Sequence, residues 1–164
     1  MSRELVTIIE EQTRILLHNV DILLQTCEPD AVLCDMPVWK HAYHMLHSLD
    51  RWFVNPERYE EPAFHAPGLN SLDIASENAL TREQLRACFF AIRQKVTAYL
   101  ATLTDGQLST KPEGCPHTRL ALILGQYRHL NAHLGNINAV TMMRTGRWPR
   151  VVGLDGGLDQ GLYE

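Results

Sequence analysis

No apolar stretch in the chain approaches the roughly 18 consecutive residues that a membrane-spanning helix requires, so no membrane role is expected. Basic runs are missing too. Fifteen Lys and Arg stand against 19 Asp and Glu, for a formal net charge of −4. A surface that neutralises phosphates needs the opposite excess, so nucleic acid is not an expected partner. Cysteine is scarce: Cys27, Cys34, Cys88 and Cys115 form no C-x-x-C pair. The first residues lack the basic-then-apolar plan of a targeting peptide. Reduced thiols in a cytoplasmic protein are the resulting expectation. Internal repeats and low-complexity segments are also absent.

What is present is an ordinary globular composition, 45% apolar and 21% charged. The 164 residues suffice for a core that needs no disulfide or structural metal, so 1–164 reads as a single domain. Helical periodicity occurs four times. From Ser2, placed to cap the first turn, to about Cys27, residues such as Leu5, Ile8, Ile15, Leu16, Val20 and Leu23 keep helical spacing. Pro29 stops that helix. Pro37 opens a second, about Val38 to Val54, with its core face at Val38, Ala42, Leu46, Leu49 and Phe53.

Asn55 to Leu80 carries Pro56, Pro62, Pro67 and Gly68 and shows little periodicity. It is expected to be an ordered excursion, with a short helical piece near Leu72 to Asn78, that covers or lines a site. Thr81 with Gln84 fits a capping box for a third helix. Its stripe runs from Leu85 through Phe89, Ile92 and Val96 to Leu103, and Asp105-Gly106 is expected to end it. The fourth helix, Thr118 to Gly146, has no proline and presents Leu120, Ile123, Leu124, Tyr127, Leu130, Leu134 and Ile137 to the core. Roughly opposite lies a run of small residues: Ala121, Gly125, Ala132, Gly135 and Ala139. Such a run lets another helix approach closely and suggests a homodimer. Residues 147–164 read as an irregular C-terminal tail. Four amphipathic helices joined by proline-broken links predict an all-α fold, an antiparallel four-helix bundle with long crossover connections.

Eight histidines are a mild excess that points to metal or proton chemistry. His129 and His133 lie four apart on the fourth helix, one above the other, where two imidazoles can share one ion. The second helix carries His41, His44 and His47. At about 100° per residue, His44 points nearly opposite the apolar stripe and His41 lies off its far side. His47 falls on the margin, beside Tyr43 and Asp50, where a ligand at the mouth of a bundle would sit. His47 is therefore the expected third ligand; His44, one turn earlier, takes that place if the helix is rotated. His65, in the excursion, is placed to approach a metal from outside. Tyr43, Asp50, Gln126 and Asn136 are the polar residues expected behind the ligands or facing a substrate. Three neutral imidazoles leave coordination positions for water, whose pKa a dication lowers. No side chain stands out as a general base, so the catalytic group is expected to be metal-bound water or thiolate.

The segment Trp39 to Phe53, W-K-H-A-Y-H-M-L-H-S-L-D-R-W-F, resembles the second-helix signature of the DinB/YfiT-like metalloenzyme family. In that signature the metal-binding histidine follows the tryptophan by eight residues, here His47. His129 to Ile137, H-L-N-A-H-L-G-N-I, is similar to the family's H-x-x-x-H-x-G-[QN]-[IL] segment, and Arg147-Trp148-Pro149 resembles the exit that follows it. The resemblance implies a divalent ion on His47, His129 and His133, an up-down-down-up bundle, and frequent dimers. It also implies kinship with thiol-dependent transferases and isomerases that use bacillithiol or mycothiol. The expected function is that of a metal-dependent hydrolase or thiol-dependent S-transferase acting on a small molecule. Zinc or nickel is the expected metal, with iron or manganese next, and a low-molecular-weight thiol is a candidate co-substrate. The alternative is a non-catalytic metal-binding module for stress response or interaction.

Overall fold

A computed structural model describes residues 1–154 and 156–164 of the protein. Among them are five α-helices, one short 3-10 turn and one two-stranded antiparallel hairpin. None of these helices is long and apolar enough to cross a membrane.

Helix α1, Glu4–Thr26, buries Val6, Leu16, Leu17, Val20, Leu23 and Leu24. Ser2 is not its effective cap, since its hydroxyl reaches the Glu4 N–H only at 3.4 Å. The stronger acceptor is distant in sequence. Asp105 Oδ1 takes the Val6 N–H at 3.0 Å, while the Ser2 hydroxyl donates to the other carboxylate oxygen at 2.5 Å. A carboxylate at this end also meets the positive pole of the helix. At the other end, the Arg82 guanidinium donates to the carbonyls of Leu24, Gln25 and Cys27, which α1 leaves unpaired.

The connection to the next helix folds into a hairpin, β1 (Val32–Leu33) against β2 (Met36–Pro37), with Leu33 opposite Met36. Its two-residue turn, Cys34 and Asp35, has φ of 49° and 62°. That left-handed backbone matches strand twist but is usually left to Gly or Asn.

Helix α2, Val38–Trp52, buries the expected Val38, Ala42, Leu46 and Leu49, and Phe53 follows them into the core. Trp39, Lys40, His41, Tyr43, Met45 and His47 are buried as well. Only Arg51 and Trp52, at the C-terminal end of α2, are exposed, because α3, α5, the hairpin and the excursion each pack on part of it. The excursion begins with a 3-10 turn, Pro56–Arg58, whose Glu57 N–H is accepted by Asn55 Oδ1 at 3.1 Å. The helical piece expected at 72–78 does not form. There the Ile74 carbonyl is taken by Lys40 Nζ, which also donates to the Gly68 carbonyl at 3.1 Å. A carbonyl held by an ammonium from α2 is not available to a local helical turn.

Helix α3, Arg82–Thr102, starts with the expected capping box: Gln84 N–H to Thr81 Oγ1 at 3.2 Å and Thr81 N–H to Gln84 Oε1 at 2.8 Å. It ends before Asp105-Gly106. That dipeptide instead opens a short helix α4, Asp105–Leu108, with Gln107 Oε1 accepting the Thr104 N–H at 2.9 Å. Helix α5, Arg119–Thr145, is capped by Thr118 Oγ1 on the Ala121 N–H and closed by Gly146 at φ 69°. Leu124, expected inside, is 43% exposed, and Leu122 is buried in its stead. Ala121, Ala132, Gly135 and Ala139 lie exposed.

The four long helices close a ring in which α1 and α2 each pack against both α3 and α5. The tail after Gly146 is held by Asn19, whose amide donates to the Val152 carbonyl at 3.0 Å while its oxygen accepts the Val152 N–H at 2.8 Å. A bridge between Pro149 and Tyr163 folds the tail back on itself.

Candidate metal centre

Six of the eight histidines gather into two groups of facing rings on either side of one turn of α2. The first group lies where α2 faces α5. The Nε2 atoms of His44 and His129 are 3.2 Å apart, and those of His129 and His133 are 3.1 Å apart. The ring of His44 also meets that of His133, with centroids 4.9 Å apart. One ligand atom from each ring lies within 4.8 Å of the other two. His47, the expected third ligand, is not part of this group; the ring that converges on the α5 pair is His44.

Hydrogen bonding sets which nitrogen His44 presents. Its Nδ1 lies 2.8 Å from the Asn70 carbonyl, an acceptor only, so Nδ1 carries the proton in that bond. In the neutral ring Nε2 is then a lone pair. It faces His129 Nε2, which in turn faces His133 Nε2. One N–H cannot serve both neighbours of His129, so at least one of the two close contacts is left without a hydrogen bond. A shared cation removes that conflict. Two imidazole nitrogens bound at about 2.0–2.1 Å to a tetrahedral ion lie roughly 3.3 Å apart, close to the spacing seen. The three residues therefore fit a divalent metal.

Electrostatics point the same way. Burial, followed by the neighbouring rings of His129, His44 and His41, pushes the His133 pKa from 6.5 down to about 4. Burial, and then His44, also lowers that of His129. These α5 rings hold protons poorly near neutrality, which leaves nitrogen lone pairs free for a metal. Only His44 has a carbonyl behind it. His129 Nδ1 and His133 Nδ1 are buried without a hydrogen-bond partner among the described residues. His41, 6% exposed, donates from Nε2 to the Leu33 carbonyl at 2.7 Å and sits 6.3 Å, ring to ring, from His133. The strained hairpin turn thus places a carbonyl on this outer histidine.

The second group surrounds His47, which is 5% exposed. Its Nδ1 meets Asn70 Nδ2 at 3.0 Å, and its Nε2 meets Glu61 Oε2 at 2.8 Å. An amide donor on Nδ1 puts the ring proton on Nε2, where it is given to Glu61. Burial lowers the His47 pKa despite the opposing pull of Glu61. His65 stacks on His47 with centroids 4.9 Å apart and an interplanar angle of 25°. Asn70 therefore touches both groups, with its carbonyl on His44 and its side chain on His47.

The other expected polar residues are dispersed. Tyr43 is fully buried, and its hydroxyl, kept protonated by burial, shares a 2.8 Å hydrogen bond with His65 Nδ1. Asp50 Oδ1 pairs with Lys95 Nζ at 2.6 Å and borders a cavity of about 330 Å³ with Glu60, Phe64 and Cys88. Gln126 is buried and accepts from the Ser48 hydroxyl at 3.2 Å. Asn136 is exposed. None of these hydrogen bonds reaches the three converging rings.

The place of His44 in this group has a physical cause. Taking water as the environment opposite the apolar stripe of α2 makes His44 a surface residue, whereas that face is roofed by the excursion and by α5. A signal was present: Lys40, His44 and His47 stand at i, i+4 and i+7, a polar stripe along one face of α2, with His41 beside it. Glu61 and Asn70 carried no such signal, since neither lies in a periodic segment.

Residues 16–137 match the family model described as the DinB superfamily, a span that contains His44, Asn70, His129 and His133. No curated protein and no solved structure matches the chain.

Proposed function

The chain belongs to the DinB superfamily, and on that footing we propose that it is a metal-dependent enzyme acting on a small molecule, as a hydrolase or a thiol-dependent S-transferase. The observation that carries the proposal is the convergence of three imidazole Nε2 atoms from α2 and α5 with one ring oriented by a main-chain carbonyl. His44, His129 and His133 would hold the ion, with zinc or nickel favoured by the all-imidazole donor set and iron or manganese next. Such an ion, when bound, supplies Lewis acidity and makes a bound water or low-molecular-weight thiol a nucleophile near neutral pH.

The chain's own residues prepare that chemistry. Asn70 fixes the His44 tautomer so that Nε2 faces inward. Burial keeps protons off His129 and His133. The excursion, pinned by Lys40 and resting its Asn70 carbonyl on His44, covers the α2 side of the group. The proposal includes one domain over residues 1–164, built as an antiparallel four-helix bundle with long crossovers; the ring packing of α1, α3, α2 and α5 supports it. It includes a cytoplasmic homodimer, supported by unpaired cysteines and by the exposed small residues of α5. The net charge of −4 supports a small-molecule partner over nucleic acid.

The test is metal analysis of protein purified without a histidine tag, followed by hydrolase and thiol-transfer screens of the loaded protein. Bound metal that is lost in His129→Ala, with turnover lost alongside it, is the expected result. Metal without turnover would make the protein a binding module instead, and metal content unchanged in His129→Ala would sink the site.

A further inference from the structure

The ring group around His47 is separate in its ligand atoms from the triad, and its composition is different: two imidazoles and a carboxylate. We propose that His47, Glu61 and His65 form a second divalent-cation site, which clamps the 55–80 excursion to α2.

The geometry comes first. One ligand atom from each of the three residues lies within 4.8 Å of the other two. Glu61 Oε2 is 2.8 Å from His47 Nε2 and 3.7 Å from His65 Nδ1. Ligands bound at about 2.0–2.2 Å to one ion stand roughly 3.0–3.6 Å apart, so the pocket needs little movement to close on a cation. Two imidazoles with one carboxylate is a donor set that zinc accepts with positions left for water. The Tyr43 hydroxyl, 2.8 Å from His65 Nδ1, is a further oxygen at the same spot. The Tyr59 and His47 rings meet edge to face, with centroids 5.5 Å apart, and burial with the nearby Asp50 and Glu61 carboxylates keeps the Tyr59 hydroxyl protonated.

Charge gives the second reason. Among the described residues, no Lys or Arg pairs with Glu61, which meets the His47 and His65 rings. The nearby Lys95 is engaged by Asp50 Oδ1 at 2.6 Å and by the Asp50 carbonyl at 3.0 Å. Glu61 is thus a carboxylate served by imidazoles rather than by a fixed cation. His47 is also backed on its other nitrogen by Asn70, the outer contact that ligating histidines usually have. Glu61 and His65 belong to the excursion and His47 to α2, so an ion among them would join the two segments covalently distant in the chain.

Because Asn70 touches both His44 and His47, closure of this site also steadies the ring that faces α5. The inference does not depend on the triad. The experiment uses the untagged full chain, stripped with chelator, dialysed, and titrated with Zn²⁺ alone under native mass spectrometry and calorimetry. Two equivalents are expected for the wild type, and one each for Glu61→Gln, His65→Ala and His129→Ala. Loss of an equivalent in His129→Ala reports the triad, whereas loss in the other two reports the new site, so the two readings fail separately. Circular dichroism checks that each variant is folded. Limited proteolysis gives an independent reading: Zn²⁺ should protect 55–80 in the wild type and protect it less in His65→Ala. One equivalent in the wild type, or two retained in both Glu61→Gln and His65→Ala, would overturn the proposal.

Discussion

Replacing His44 and replacing His47 should have very different consequences for the metal held between α2 and α5, although the two residues are three apart on one helix. His44 Nε2 lies 3.2 Å from His129 Nε2, whereas His47 Nε2 is spent on Glu61 at 2.8 Å. A structural zinc site is worth roughly 10–16 kcal/mol over four ligands, so one imidazole carries about 2.5–4 kcal/mol. At about 1.4 kcal/mol per tenfold, losing it weakens binding by roughly 10²–10³. The comparison is best made in a His65→Ala background, so that the Glu61 group contributes no ion; if that group binds none, the background change is silent. In it, His44→Ala should lower Zn²⁺ affinity by that factor in competition with a chromophoric chelator, and His47→Ala should change it by less than about threefold, a difference within 1 kcal/mol. An equal loss in both variants, or a loss confined to His47→Ala, would refute the geometry on which the site rests.

The metal-free protein should lose stability as pH falls below the ordinary imidazole range. His133 is held at about 4 in the folded chain against 6.5 when unfolded, so the unfolded chain takes up its proton first. The contribution is complete above about 6.5 and is lost between there and about 4, at most roughly 3 kcal/mol for the single group. His41, His47 and His129, also lowered chiefly by burial, act in the same direction. Urea titrations with chelator at several pH values should show a shallower dependence in His133→Asn; an identical slope would contradict the sign argued here. Lys40→Met removes an ammonium that is fully buried and that holds the Gly68 and Ile74 carbonyls. About 1–3 kcal/mol should go with it, since charged hydrogen bonds of this kind contribute that much. Amide exchange confined to the excursion should accelerate, and unchanged protection at residues 68–74 would argue that the clamp is idle.

Much of the helical framework was readable because it is local. The capping box at Thr81 and Gln84 and the Thr118-to-Gly146 bounds of the last helix each depend on residues within one turn of the feature they create. Where the expectation failed, the partner was remote. The first turn of α1 is capped by Asp105 rather than Ser2, across 99 positions from Val6. Asp105-Gly106 opens α4 behind the Thr104 and Gln107 capping box rather than ending α3. The segment 72–78 gives its Ile74 carbonyl to Lys40 and so does not coil. The Cys34-Asp35 turn adopts a left-handed backbone without glycine, which composition alone would not suggest.

The candidate site divides along the same line. An i, i+4 pair on one helix is a consequence of helical geometry, so His129 and His133 meet whatever else the chain does. Which ring of α2 joins them is a matter of how that helix is rotated against α5 and what covers its far side. Periodicity ranks faces by apolar content, but it has no means of knowing that a proline-rich excursion will roof the polar one. Only folding brought Asn70 to His44 and Glu61 to His47, because both loop residues find their partners through space rather than through spacing.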